Sequence, residues 1–285
     1  MHVELMESTL GARVSGVDLR AATARQLGEI HELWDERAVV LFPGQHLDDD
    51  AQIAFSAHFG RFERGLRRSS ESRLTVLSNV DRAGAVVAPS ELQVRFQLGN
   101  AQWHSDSSYK RVGAKASLLS ARIVPAEGGE TEWADQRAGW DALDPATQAR
   151  LDGRVAVHSF VYSHSWHGGL ELLAEDDLAG LPPVEHPVVA THPRTGRRNL
   201  FVGRHASHIV GEDEEASRAL LRELTEHVGQ APRTWKHRWE EGDLVLWDNR
   251  CVLHRGHPWP ATQARKMVRT TIAGDAVDNE WALTG

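Results

Sequence analysis

The sequence predicts a mainly β chain with peripheral helices, a double-stranded β-helix of the jelly-roll kind. Three observations support this: many short segments rich in β-branched residues and bounded by turn formers, few segments of helical period, and no repeat, linker or composition shift. Residues 1–285 therefore read as a single domain. "ARVSGVDL" alternates apolar and polar residues as a strand does, and "TARQLGEIHELWDER" follows with helical spacing through Leu27, Ile30, Leu33 and Trp34. "AVVLFPG" is a short buried strand stopped by Pro43 and Gly44. In "LDDDAQIAFSAHFG" Asp48 supplies an N-cap, Ile53, Phe55 and Phe59 fall near one face, and Gly60 closes the helix. Strands then dominate: "RLTVLSNV", "AKASLLSARIVP", "RVAVHSFVYS", "HPVVATHP", "RNLFVG", "DLVLWDN" and "MVRTTIAG". Two helices interrupt them, a short one in "WDALDPATQARL" and a long one in "EDEEASRALLRELTEHVGQ", with acids in its first turn and His227 in its last.

Composition narrows the function. Hydrophobic residues make up 41% and charged residues 25%, with no apolar run long enough to span a bilayer as a helix, so no membrane role is expected. The start, "MHVELMESTLGARVSG", lacks the pattern of an export signal, and the single cysteine, Cys251, suits a reducing compartment; the expectation is a cytoplasmic protein. With 32 basic against 40 acidic residues the net charge is −8, which disfavours nucleic acid or an anionic membrane as partner. The five arginines of "RFERGLRRSSESR" at 61–73 read as a solvated loop, and most of the ten tryptophans as packing.

The chemistry centres on "NAQWHSDSSY". On an extended segment His104 and Asp106 project to one face and can reach one ion. Chance alone yields roughly two His-x-acid pairs in such a composition. Three occur, the others being His2/Glu4 and His46/Asp48, so the pair needs a third ligand to decide the matter. The apolar strand in "DLVLWDNRCVLHRGHPW" delivers His254 near its end. Two histidines and one carboxylate on one face of an ion leave the other face open, as in non-haem Fe(II) oxygenases. Zinc is the competing metal, but the chain has neither HExxH nor thiolate pairs; the bland alternative is a strand-end histidine bonded to a carbonyl. Downstream, Arg265 and Arg269 lie four apart on an apolar strand, and inward guanidinia there require anions.

Together "NAQWHSDSSY", "GGETEWAD", "WDNRCVLHR" and the two arginines resemble the taurine dioxygenase and dichlorophenoxyacetate dioxygenase family of Fe(II)/2-oxoglutarate oxygenases, from "LFPGQ" through "AGD". Within it the chain looks most like aryloxyalkanoate dioxygenases. The resemblance implies iron bound by His104, Asp106 and His254, and 2-oxoglutarate held through its distal carboxylate by Thr131 and Arg265. It assigns Arg269 to the anion of a small organic substrate, and Asn79, Asn100, Ser163 and His208 to the substrate pocket. Trp133 and Trp247 would border the cofactor pocket or simply pack. The implied reaction uses O2 as third participant, releases succinate and CO2, and hydroxylates the carbon that the gripped anion turns toward iron. For an aryloxyalkanoate this yields a hemiacetal that collapses to a phenol and an oxo acid. A taurine-like sulfonate or alkyl sulfate oxygenase is the alternative, and a non-catalytic metal-binding barrel a third. Relatives of this kind form homo-oligomers, which sets the same expectation here.

Overall fold

The computed structural model describes residues 1–66, 71–166, 168, 170–276 and 279–283; Arg67 and Arg68 of the arginine-rich segment lie outside them. The largest sheet has seven strands in the order His2–Leu5, Ala12–Ser15, Val39–Phe42, Leu244–Asp248, Ala114–Ile123, Lys266–Ala273 and Thr75–Ser78. All its neighbours are antiparallel except the second and third strands. A three-stranded sheet of Thr234–His237, Thr131–Asp135 and Val252–Gly256 lies across it. Between the two sheets Trp133 and Val252 pack with Leu41, Leu119, Val245 and Trp247, all buried, which is the double-layer core of a jelly roll.

Helices close the outer faces. Thr23 caps the helix Ala24–Arg37 through a reciprocal box with Gln26, and its buried Ile30 and Trp34 cover the large sheet beside Phe55 and Phe59. Each such side chain contributes about 1.5–3 kcal/mol by leaving water. Asp48 accepts from the Ala51 amide and opens the helix Asp49–Ser56, as its position in the sequence suggests. The long helix Glu214–Val228 buries Leu221, Leu224 and Val228 against Leu253 and Ala134 of the small sheet. Among the described residues no helix is long and apolar enough to cross a membrane.

Three local readings change and one helix is added. The segment 140–151 divides into Gln136–Asp141 and Pro145–Leu151, because Pro145 has no amide to continue a helix and Asp144 caps a new one. The strand read in "RVAVHSFVYS" ends at His158, where Ser159 accepts from the Tyr162 amide and starts the helix Phe160–Ser165. The helix Glu91–Asn100 has apolar residues at 92, 94, 96 and 98, a period of two, so only the Ser90–Gln93 capping box marks it. His254 is not at the end of the strand through Trp247. Asp248 and Arg250 make a tight turn, and the chain enters the other sheet as a new strand, Val252–Gly256, with His254 at its centre.

Candidate active site

The backbones of residues 104 and 254 are paired. The His254 amide donates to the His104 carbonyl at 2.8 Å and the reverse bond is 3.1 Å, which brings the two rings to 4.2 Å between centroids. The stretch around His104 is therefore a single bridge followed by a turn rather than a strand. Asp106 enters that turn, with its amide on Asn249 Oδ1 at 3.2 Å. One donor atom each from His104, Asp106 and His254 lies within 4.8 Å of the others, and all three residues are buried.

The protonation states suit a divalent cation. Gln102 carbonyl sits 2.7 Å from His104 Nδ1, so that nitrogen carries the proton and Nε2 keeps its lone pair. Burial, and then the neighbouring His254, hold the His104 pKa well below its ordinary value; burial pushes His254 down to about 4 despite Asp106 beside it. Both are neutral imidazoles at pH 7. Burial by itself would raise the Asp106 pKa, but Arg269, the two histidines and Ser117 overcome it, and the carboxyl stays ionised far below the usual range. Arg269 Nη1 donates to Oδ1 at 2.9 Å and Ser117 Oγ to Oδ2 at 2.6 Å. His254 Nδ1 is buried without a hydrogen-bond partner. Two neutral imidazoles and one carboxylate, converging in a dry site, fit ferrous iron.

A second cluster, His192, Asp248 and Cys251, does not fit an ion. Arg250 grips both oxygens of Asp248 at 2.8 and 2.6 Å and His192 donates to it at 3.0 Å, so its charge is already answered. This network fastens the turn that precedes His254.

Arg265 precedes the strand Lys266–Ala273. Its guanidinium lies over Trp259 at 4.8 Å and donates from Nη2 to Gly129 carbonyl at 3.1 Å, while Nε is buried without a partner. Burial lowers its pKa to about 10. A Cβ on Gly129, whose φ is +73°, would sit 2.9 Å from Arg265 Nε, so glycine opens the space the side chain needs. Thr131 begins the strand that flanks His254, opposite Gly256, and its hydroxyl accepts from Trp239 Nε1 at 3.1 Å. Among the described residues no carboxylate pairs with Arg265, and a buried guanidinium on Gly129 with a buried hydroxyl two residues further along the same segment suits the far carboxylate of a keto diacid.

The pocket residues divide. Asn100 ends the helix Glu91–Asn100, and its carbonyl borders Gly256, two residues past His254. Asn79 does not present a free amide: it accepts from the Arg265 amide at 2.8 Å and donates to the carbonyls of Ala261 and Gln263, so it shapes the turn leading into Arg265. Ser163 stands behind the pocket wall, donating to Phe160 carbonyl and bonded to His205 Nδ1 at 2.8 Å. His208 is joined to Ser207 at 2.9 Å; the imidazole beside His104 is His205, at 6.3 Å. Trp133 and Trp247 pack in the core between the sheets, with Trp247 also 4.9 Å from the His254 ring.

Sequence reasoning missed Arg204. Its amide donates to Trp103 carbonyl, and its guanidinium lies against Gly99, with Nε and Nη1 buried and without a partner. Among the described residues no carboxylate pairs with it, and burial lowers its pKa to about 10 although Tyr109 and Asp106 oppose the shift. Tyr109 was missed too; its ring is 4.8 Å from His205 and 4.9 Å from Phe160. The one signal was Gly203, at φ +120°, where a Cβ would crowd Trp103 carbonyl at 3.2 Å.

Comparison with known proteins agrees with this geometry. Residues 2–271 match the family described as taurine catabolism dioxygenase TauD, TfdA family. The chain is 41% identical to the alpha-ketoglutarate-dependent 2,4-dichlorophenoxyacetate dioxygenase of Cupriavidus pinatubonensis, covering 93% of this chain and 95% of that protein. It is 40% identical to the (S)-phenoxypropionate/alpha-ketoglutarate-dioxygenase of Delftia acidovorans, over 94% and 93%. The crystal structure of AAD-2 in complex with Mn(II) and N-oxalylglycine superposes with a TM-score of 0.88 at 36% identity, covering 96% of this chain and 99% of that one. The chain belongs to the TauD, TfdA family and is an Fe(II)- and 2-oxoglutarate-dependent dioxygenase.

Proposed function

We propose that this dioxygenase cleaves an aryloxyalkanoate by hydroxylating the ether carbon next to its carboxylate. The observation that carries the reading is Arg204, a buried guanidinium on the His104 side of the site with which no carboxylate pairs among the described residues. An uncompensated buried cation is costly, and a substrate carboxylate removes that cost. Arg269 is the second cation at hand, partly neutralised by Asp106. Beyond them the wall turns apolar. Tyr109 packs on Phe160, and Phe160 borders a cavity of about 100 Å³ lined with Leu66, Leu92, Phe96, Leu173, Leu178 and Leu181. An acid with an aromatic body suits a pocket charged at one end and greasy at the other. The names of the two curated relatives, which act on 2,4-dichlorophenoxyacetate and (S)-phenoxypropionate, support the same class.

In this reading each group has one task. His104, Asp106 and His254 hold iron; Arg265 and Thr131 hold 2-oxoglutarate; Arg204 and Arg269 hold the substrate anion so that its α-carbon faces the metal. Bound iron with 2-oxoglutarate and O2 supplies the oxidising power, giving succinate, CO2 and a hydroxylated substrate. The buried histidines and Trp247 keep bulk water from the reacting centre. The test is a panel of aryloxyacetates, aryloxypropionates, alkylsulfonates and sulfate esters, scored for succinate and for phenol or inorganic sulfur product. Phenol and succinate in equal amounts are expected from the aryloxy acids. Sulfite or sulfate release without phenol would overturn the assignment.

A further inference from the structure

The residue after Asp106 is in an unusual conformation. Ser107 has φ +58°, the left-handed region that disfavours any residue with a Cβ. Such a residue persists only where its surroundings hold it. Here the hold is visible. Ser107 Oγ donates to Glu63 Oε1 at 2.5 Å, and Lys110 Nζ donates to the same oxygen at 2.6 Å, in an ion pair exposed by only 1% and 8%. The Lys110 amide closes the turn on Ser107 carbonyl at 2.9 Å.

The clamp is anchored on three sides. Glu63 is fixed by its amide on Thr271 carbonyl at 2.8 Å, two residues from Arg269, and by a bridge to Ala282. Lys110 Nζ lies 4.3 Å over the Trp281 ring and also donates to Arg64 carbonyl at 3.3 Å. The Lys110 carbonyl accepts from His186 Nε2 at 3.0 Å. Each contact alone is ordinary. Their convergence on one strained residue next to a ligand carboxylate is not required for packing, since a glycine at 107 would adopt the same backbone without help.

We propose that Glu63 and Lys110 are positioning residues of the metal centre. By fixing the hydroxyl of Ser107 they hold the left-handed turn that aims the Asp106 carboxylate at the ion, and the segment around Trp281 completes the clamp. The inference rests on the reading of Asp106 as a ligand. A buried ion pair with a purely structural role would support the fold equally whatever residue stood at 107. A positioning pair loses its importance once the strain at 107 is gone.

The test titrates Mn(II) into metal-free protein and reads free Mn(II) by electron paramagnetic resonance, with thermal unfolding recorded for each variant. Ser107→Ala keeps the strain and loses the tether. Glu63→Gln combined with Lys110→Met removes both charges together, leaving neither buried alone. Each is expected to bind Mn(II) about tenfold more weakly. Ser107→Gly should recover most of what Ser107→Ala loses, and in that glycine background the Glu63→Gln/Lys110→Met change should shift affinity less than about twofold. Parental affinity in Ser107→Ala, or an equal loss from the paired change in both backgrounds, would overturn the proposal. If the paired change does not fold, the alanine and glycine variants at 107 decide by themselves. His104→Ala serves as the control for the metal site: unimpaired Mn(II) binding there would refute the ligand assignment instead.

Discussion

Gly99 is where a single methyl group should separate substrate affinity from stability. The residue lies in the last turn of the helix Glu91–Asn100, and an ideal Cβ there would fall 1.8 Å from Arg204 Nη1, 2.8 Å from Cζ and 3.1 Å from Nη2. Backbone is not obstructed, so Gly99→Ala folds and the guanidinium, at the end of a flexible chain, swings away. A charge-assisted hydrogen bond to a carboxylate contributes about 1.5–3 kcal/mol. Losing one raises KM for an aryloxy acid by about 10- to 150-fold. KM for 2-oxoglutarate, which the proposed function assigns to Arg265 and Thr131, stays unchanged. Replacing a helical glycine by alanine meanwhile favours the fold by about 0.5–1 kcal/mol. The assay is phenol release at varied substrate, with urea unfolding alongside. Higher stability together with a weakened KM is expected, and Arg204→Met, which removes the buried cation itself, should show the same loss in KM. An unaltered KM in Gly99→Ala would show that Arg204 does not meet the substrate from its present position.

Three further outcomes are expected. Arg265→Met removes a buried cation that has no anion until 2-oxoglutarate arrives, so 2-oxoglutarate binding weakens about tenfold or more while the metal-free protein unfolds no sooner; titration with 2-oxoglutarate under anaerobic conditions measures it. Arg269→Gln removes the largest charge that depresses the Asp106 pKa, so protonation competes with metal at higher pH, and the acid limb of Mn(II) binding moves upward in a titration from pH 7 to 4. His158 is fully buried, and burial, then His186, lower its pKa to about 3 against a weak opposing backbone contact with Phe201. A group depressed on folding stabilises above its unfolded value, near 6.5, and that stability is lost as pH falls toward the folded value; at pH 5 the loss is about 2 kcal/mol. His158→Phe, a ring swap beside Phe201, should remove this part of the decline, seen by comparing urea midpoints at pH 8 and pH 5.

The legible parts of this protein are those carried by local pattern. Asp48 as a cap, the helix ending at Arg37 and the strands through Val39, Leu118 and Leu246 depend on neighbours in sequence, and they are found where periodicity puts them. His104, Asp106 and His254 stand out because few residue types bind iron. The route that joins them is a different matter. Residues 104 and 254 pair through a backbone bridge across 150 positions, and no spacing rule reports that. Arg204 was hidden for the same reason: an arginine in a loop reads as solvated until Gly99 and Trp103, far away in the chain, are seen to enclose it. Asn79 shows the converse case. A polar residue near a pocket invites a functional role, yet all three of its side-chain hydrogen bonds are made with the loop before Arg265 and the Arg265 amide. The helix Glu91–Asn100 escaped because its apolar residues alternate, the period of a strand.

The distribution of charge ties these elements to the choice of substrate. Arg269 and Arg204 both act on Asp106, and Arg265 is buried four residues before Arg269, so these three cations against that one carboxylate leave a formal +2, and ferrous iron would raise it to +4. Two carboxylates of 2-oxoglutarate lower that to +2, and a monoanionic substrate to +1. In a site this dry, Coulomb interactions are strong, so each anion makes the pocket less costly and a cationic or neutral competitor does not. The chain as a whole carries −8, so this local excess of cations is not a feature of the overall charge. Charge therefore admits carboxylates, sulfonates and sulfates alike. Discrimination among them falls to the apolar wall, where the edge-to-face pair Tyr109 and Phe160 and the leucine-lined cavity bordered by Phe160 reward an aromatic body that taurine does not have.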